Sequence, residues 1–283
     1  MFMDYVNKMN LFNRKDAILL AGMCYQAYPL FYEGKLTLPQ GYKLRLIIRA
    51  LADVENPTEV VIGFVAESKE QIVVAFRGYA AYPADLLAAY DIIQIPFPFV
   101  RDAGKTSRGF TCLYRSTRDE LIRKINHFSG AKRLLVAGHN YGGAIAVMAA
   151  LDIAVNTKFE QPFVYTYGSP RIGDPAFAHR FNQTIENSFR IVNIHDPYST
   201  FPDPKYPPPF TTEGIVYQHV STKFPIAFQL ENTPRNDAIA CYFKGLRQLN
   251  PIFSQSLCTQ NPGFCPDTEM CMPFEGVCKP EKP

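Results

Sequence analysis

The chain has 283 residues with 29 basic and 26 acidic side chains, a net charge of +3. That is too small and too evenly spread to argue for nucleic acid as a partner. An apolar fraction of 47% against 19% charged supplies a sizeable core and excludes wholesale disorder. At 32.0 kDa there is room for one large domain plus an appendage, and no apolar run reaches the roughly 18 residues that span a bilayer. The N-terminal MFMDYVNKMN lacks the basic-then-apolar-then-small order of a signal peptide. That leaves an intracellular chain or one whose leader has been removed.

From Asn13 to Tyr32, Ala17, Leu20, Ala21, Cys24, Ala27, Tyr28 and Phe31 fall at helical spacing. Extended runs follow at Lys43–Leu51, Glu59–Ala66 and Gln71–Phe76. The stretch Tyr82 to Val100 is very apolar between polar flanks, and two readings stand for it: buried packing, or a lid over a greasy pocket. Thr117 and Glu120 form a capping-box pair ahead of Leu121, Ile122, Ile125 and Phe128, which predicts a helix stopping near Gly130. A short buried strand at Arg133–Ala137, a glycine-rich turn and an apolar helix at Gly143–Val155 come next. Strands at Phe163–Tyr167 and Arg190–Ile194 bracket a helix near Pro175–Phe181. The six prolines between 197 and 209 predict an ordered surface loop near the strand ends. Strands alternating with helices predict a three-layer α/β domain with a mostly parallel sheet.

Cysteine usage splits the chain. Cys24, Cys112 and Cys241 stand among apolar residues and read as core thiols. Cys258, Cys265, Cys271 and Cys278 fall in a segment too short for a core, and predict two disulfides with three possible connectivities. A zinc site is the weaker reading, because no C-x-x-C pair is present. The expected division is a domain over 1–252 and a Cys-rich tail over 253–283. The tail favours an oxidising, secreted setting.

Leu134 to Ala144 reads LLVAGHNYGGA, a strand, a tight turn and a helix start. It matches the G-x-S-x-G nucleophile elbow of α/β-hydrolases, whose glycines permit a sharp bend and whose helix N-terminus faces a developing oxyanion. Phe76-Arg77-Gly78 precedes it; Tyr167-Gly168-Ser169-Pro170-Arg171-Ile172-Gly173-Asp174 and Arg190-Ile191-Val192-Asn193-Ile194-His195-Asp196-Pro197 follow. With these four ordered motifs, from about Asp16 to Pro251, the chain resembles the class 3 triacylglycerol lipases of the fungal type and their bacterial relatives. The resemblance implies an α/β-hydrolase fold, a lid after the third strand, and ester hydrolysis by a Ser, His, Asp triad.

The departures fall on the chemistry. Asn140 stands at the position of the nucleophilic serine, and a carboxamide cannot be activated by an imidazole as a hydroxyl can. Asp196 matches the triad acid, and Asp237 in Asn236-Asp237-Ala238 stands where the resemblance implies the histidine. Tyr79 replaces a small hydroxyl residue that would help the oxyanion hole. His195 adjoins Asp196 on one predicted strand and should point away. His219 matches a histidine that the family uses structurally, His139 is a turn position, and His127 and His179 lie on helices away from the motifs. Ordinary explanations exist too. Asn tolerates positive φ at a tight turn, Asp237 after Asn236 would sit in the first turn of a capped helix, and Tyr79, Tyr82, Tyr141 and Tyr198 could be packing.

Jointly, Asn140, Asp196 and Asp237 are expected to converge at one pocket with Tyr79 and Tyr141 beside them. Two carboxylates there cannot both ionise cheaply, so one pKa should rise. The leading reading is a lipase or esterase scaffold, inactive or very weak as a hydrolase. Two others stand: an engineered pocket using Asp237 as a general base or ligand contact, and a natural pseudoenzyme binding a lipid or protein partner. A small-molecule or lipid ligand in the pocket and transient lipid-surface contact through 82–100 are the expected partners. A hard metal ion on Asp196, Asp237 and Asn140 would need more oxygen ligands than these motifs supply, so no metal or cofactor is expected.

Overall fold

The computed structural model describes residues 10–51, 58–80, 91–206, 214–230, 233–269 and 271. In chain order these form α1 (Arg14–Glu33), β1 (Lys43–Leu51), β2 (Glu59–Glu67), β3 (Gln71–Phe76), β4 (Gln94–Pro96), β5 (Lys105–Ser107) and α2 (Arg108–Asn126). There follow β6 (Arg133–His139), α3 (Tyr141–Asn156), β7 (Phe163–Tyr167), α4 (Pro175–Thr184), β8 (Ser188–Asn193), β9 (Lys205–Tyr206), β10 (Ile215–Val216), β11 (Thr222–Ile226), α5 (Ile239–Arg247) and α6 (Pro251–Gln260). Single 3-10 turns at Tyr198–Thr200 and Thr233–Asp237 precede β9 and α5.

A seven-stranded sheet in the order β1-β2-β3-β6-β7-β8-β11 organises the chain. β1, β2 and β3 pair antiparallel, and every pair from β3 to β11 is parallel. The pleat sorts the side chains: Ile72, Val74 and Phe76 join a core with α2, α3 and α4 on one face. Val73 and Ala75 join a core with α1, α5 and α6 on the other. Helix α3 is buried continuously from Gly142 to Ala154, as an apolar helix without a polar face must be. None of the described helices is long and apolar enough to cross a membrane.

Three differences from the sequence reading have plain causes. Thr117 does not open a helix; it is buried in the middle of α2, which starts at Arg108. The burial stripe Phe110, Leu113, Tyr114, Thr117, Leu121, Ile125 runs through the supposed cap, and His127, not Gly130, closes the helix. Strand β11 went unread because its residues are half-buried or exposed, as on an edge strand, and Pro225 marks it as one. In the apolar stretch, Phe97 and Val100 are buried in the core, and Phe97 meets Phe177 edge-on at 5.4 Å. Those two residues are packing, while Ile93 is exposed and 81–90, with Tyr82, lies outside the described residues.

The cysteines also need correction. Cys241 is not a core thiol but pairs with Cys271, and Cys258 pairs with Cys265. Cys112 is exposed, and Cys24 is buried and free; Cys278 lies outside the described residues. The Cys241–Cys271 bond ties the chain after α6 back to α5, and Lys244 Nζ donates to the Cys271 carbonyl at 2.8 Å. Spacing within the tail could not reveal a partner in α5. Cys241→Ala/Cys271→Ala is expected to cost about 2–4 kcal/mol, read as a lowered Tm under non-reducing conditions.

Candidate functional site

The site lies where the parallel strands end, at the turn between β6 and α3. Asn140 occupies that turn at φ 50° and ψ −122°, the positive-φ geometry expected of an elbow. Close backbone approach dictates its glycines. A Cβ on Gly138 would overlap the Gly142 carbonyl, one on Gly142 would overlap the Arg77 carbonyl, and one on Gly78 would meet Asn140, the His139 carbonyl and the Tyr28 hydroxyl. Gly142→Ala is therefore expected to cost at least about 3 kcal/mol, measured as loss of Tm or of soluble protein.

Asn140 is buried and spends its amide in two directions. Its Oδ1 accepts the Tyr141 N–H at 2.6 Å, and its Nδ2 donates to Asp237 Oδ2 at 2.9 Å. Asp196, also buried, is held by three donors. Tyr242 O–H reaches Oδ2 at 2.7 Å, and the Tyr198 and Ser199 N–H groups reach Oδ1 at 2.9 and 3.3 Å. Gly168 leaves room for that carboxylate, since a Cβ there would strike Asp196 Oδ2. Burial pushes Asp237 up to about 7, with the Asp196 charge adding and the Asn140 hydrogen bond opposing. Burial likewise raises Asp196 to about 6 against its three donors. Both carboxyls rise, where the sequence argument required only one.

Asp237 sits differently from the sequence expectation. It ends a 3-10 turn, and α5 begins at Ile239 with Ala238 as an N-cap making no side-chain bond. Asn236 caps nothing; its Oδ1 accepts the Leu230 N–H at 2.8 Å, and its carbonyl accepts from Asn193 Nδ2 at 3.0 Å. Long-range bonds to the end of β8 thus place the 237 loop. His195 and Asp196 lie beyond β8, not on it, and His195 is exposed in the turn while Asp196 faces inward.

The tyrosines divide. Tyr79 and Tyr141 meet edge-on at 5.9 Å, and Tyr141 packs on Phe110 at 5.5 Å. Tyr198 lends its backbone N–H to Asp196. Beside Tyr141, a cleft lined by Ile62, Gly78, Phe110, Leu113 and Ile145 leaves only about 10 Å³, room for one water. Among the described residues no group of three or more His, Cys, Asp or Glu could hold a metal ion.

Sequence reasoning set His139 aside as a turn position, read Tyr28 only as part of a helix face, and assigned Tyr242 no role. His139 closes β6 with its ring buried between Tyr28 Oη, 2.6 Å from Nδ1, and the Asp237 carbonyl, 2.5 Å from Nε2. The available signal was chemical: Tyr28, half-buried against the core on α1, needs a partner for its hydroxyl.

A mostly parallel sheet flanked by helices, with a glycine-framed elbow at its carboxyl edge, is an α/β-hydrolase fold. Solved fungal lipases share it. The Rhizomucor miehei lipase in its propeptide complex aligns with a TM-score of 0.59 at 24% identity, over 75% of this chain and 67% of that one. The lipase of Rhizopus microsporus var. chinensis gives 0.58 at 23%, over 75% and 74%. Residues 73–206 match the family model for lipase (class 3), so the middle of this chain is similar to the class 3 lipase family. The Rhizomucor miehei lipase is 31% identical over 136 residues, 46% of this chain and 37% of the relative. Phospholipase A1 EG1 (chloroplastic/mitochondrial) of Oryza sativa subsp. indica is 27% identical over 276 residues, 74% of this chain and 62% of the relative. The secreted mono- and diacylglycerol lipase A of Penicillium cyclopium is 28% identical over 167 residues, 57% and 50%. This chain thus spans 37%, 62% and 50% of the length of these three relatives.

Proposed function

We propose that this chain is a lipase or esterase scaffold that hydrolyses esters weakly or not at all, with Asn140 at the nucleophile position, Asp237 at the base position and Asp196 at the triad acid. The observation that carries this reading is the double engagement of Asn140. Its Nδ2 lone pair is delocalised into the amide and attacks no carbonyl. Its Oδ1 takes the Tyr141 N–H, the backbone donor that would otherwise face a developing oxyanion. The side chain therefore removes the nucleophile and covers half of the oxyanion hole.

The ligand class we assign to the site is an acyl lipid, the chemistry named for the fungal and plant relatives, held at the surface of the elbow rather than inside the cleft beside Tyr141, which leaves about 10 Å³. Saturable binding of a fatty acid without turnover is the expected behaviour, and absence of binding would leave the site without this role. The catalytic part is tested by p-nitrophenyl butyrate hydrolysis in the parent chain beside Asn140→Ser/Asp237→His.

A second reading, a pocket working through Asp237 as general base, is favoured by one observation: burial and Asp196 raise that carboxyl to about 7, the range in which a base is effective near neutral pH. Residual turnover that disappears in Asp237→Ala would select it.

A further inference from the structure

We propose that Tyr28 and His139 are positioning residues of this site, running one hydrogen-bond chain from the loop after β3, through α1, to the main-chain carbonyl of residue 237. The chain has a determined direction. The Asp237 carbonyl, 2.5 Å from His139 Nε2, can only accept, so Nε2 carries the proton. Nδ1 is then bare and accepts the Tyr28 O–H at 2.6 Å. The Tyr28 oxygen in turn accepts the Gly78 N–H at 2.9 Å. Every group is satisfied with the imidazole neutral, and burial keeps it so, lowering its pKa to about 4.

Four segments distant in sequence are joined in this way: α1 at Tyr28, the loop after β3 at Gly78, the elbow at His139 and the loop at residue 237. The attachment at 237 is to the backbone. It is therefore indifferent to the side chain there, and a histidine at 237 would inherit the same anchorage as the aspartate. The loop reaches the elbow because its carbonyl is held, and the Asn140–Asp237 side-chain bond is added on top. Gly78 belongs to the same device, because a Cβ there would press on the Tyr28 hydroxyl.

Two measurements test this. The first uses the intact chain and needs no activity: ¹⁵N NMR of the histidines. The expected result is a neutral Nε2–H tautomer for His139 from pH 5 to 8, with its Nδ1 signal moving toward that of an unbonded ring nitrogen in Tyr28→Phe. An Nδ1–H tautomer, titration near 6 to 7, or an Nδ1 signal unmoved by Tyr28→Phe would overturn the proposal.

The second rests on the reading of positions 140 and 237 given above. In Asn140→Ser/Asp237→His, adding Tyr28→Phe should lower kcat by about tenfold to a hundredfold with KM changed less than about twofold, as a misplaced base does. An unchanged kcat in an active double variant overturns the positioning role. If the double variant is itself silent, the reading of the two positions fails, and the NMR result still decides the hydrogen-bond chain.

Discussion

Asn140→Ser/Asp237→His is expected to hydrolyse p-nitrophenyl butyrate roughly three to six orders of magnitude faster than the parent chain. That is the span lost when a serine hydrolase is stripped of nucleophile and base. The scaffold for the gain is in place: the turn at residue 140 has φ 50°, and Gly78, Gly138 and Gly142 leave the space it needs. Asp196 is already oriented by the Tyr198 and Ser199 N–H groups. Removing Asn140 also removes Oδ1 from the Tyr141 N–H, so one substitution supplies a hydroxyl and uncovers an oxyanion donor. Each single variant should gain less than about tenfold, because serine without an adjacent base and base without a nucleophile act as no unit. Serine tolerates positive φ less well than asparagine, so a cost of about 1 kcal/mol and a Tm lower by a few degrees should accompany the gain. A folded double variant with parent-like rates would mean that residue 237 is not the base position.

The second large effect concerns pH. The Asp237 carboxyl binds its proton more tightly in the folded chain, at about 7, than in the unfolded chain, near 3.9. Below about pH 4 both states are protonated and the group is neutral for stability. Between about 4 and 7 the folded state holds more protons, so stability falls as pH rises, and above 7 the whole penalty of the buried charge is present. Asp196, raised to about 6, acts in the same direction over a lower window. Asp237→Asn keeps an acceptor for Asn140 Nδ2 and removes the charge. It should stabilise the chain by about 2–4 kcal/mol at pH 8 and by little at pH 4. Thermal melts of parent and variant from pH 4 to 8 would diverge with rising pH; parallel curves would refute the assignment of this penalty to Asp237.

Much of the architecture was legible because the signals are local. Strands β3 and β7 lie where the apolar runs put them, since a buried strand is a short continuous apolar run, and β1 lies at the extended run Lys43–Leu51. The elbow was legible for a similar reason: glycines at 138 and 142 around a residue that tolerates positive φ are a demand of the backbone itself. The start of α2 was not legible, because a capping-box pair inside a helix is indistinguishable from one at its beginning until the burial stripe is known. Nor were β11, whose half-exposed residues carry weak alternation, or the partner of Cys271, which lies thirty residues away in α5.

At the site the division follows the range of the forces. Residue types at 140, 196 and 237 follow from the sequence, and with them the expectation of an altered triad. The packing of the chain decides their engagement: the Asn140 amide turned to both Tyr141 N and Asp237, and Asp196 held by Tyr242 from α5. It also decides that the 237 loop is carried by Asn193 and His139 rather than by a helix cap. Apart from the bond to the adjacent Tyr141 N, these bonds join residues forty to a hundred positions apart, and burial makes each obligatory, because a polar group withdrawn from water must find its partner inside the fold. Local sequence determines which groups are present and how the backbone can bend at each point. Which buried groups meet, and so which carboxyl keeps its proton, is settled only when the strands are laid side by side.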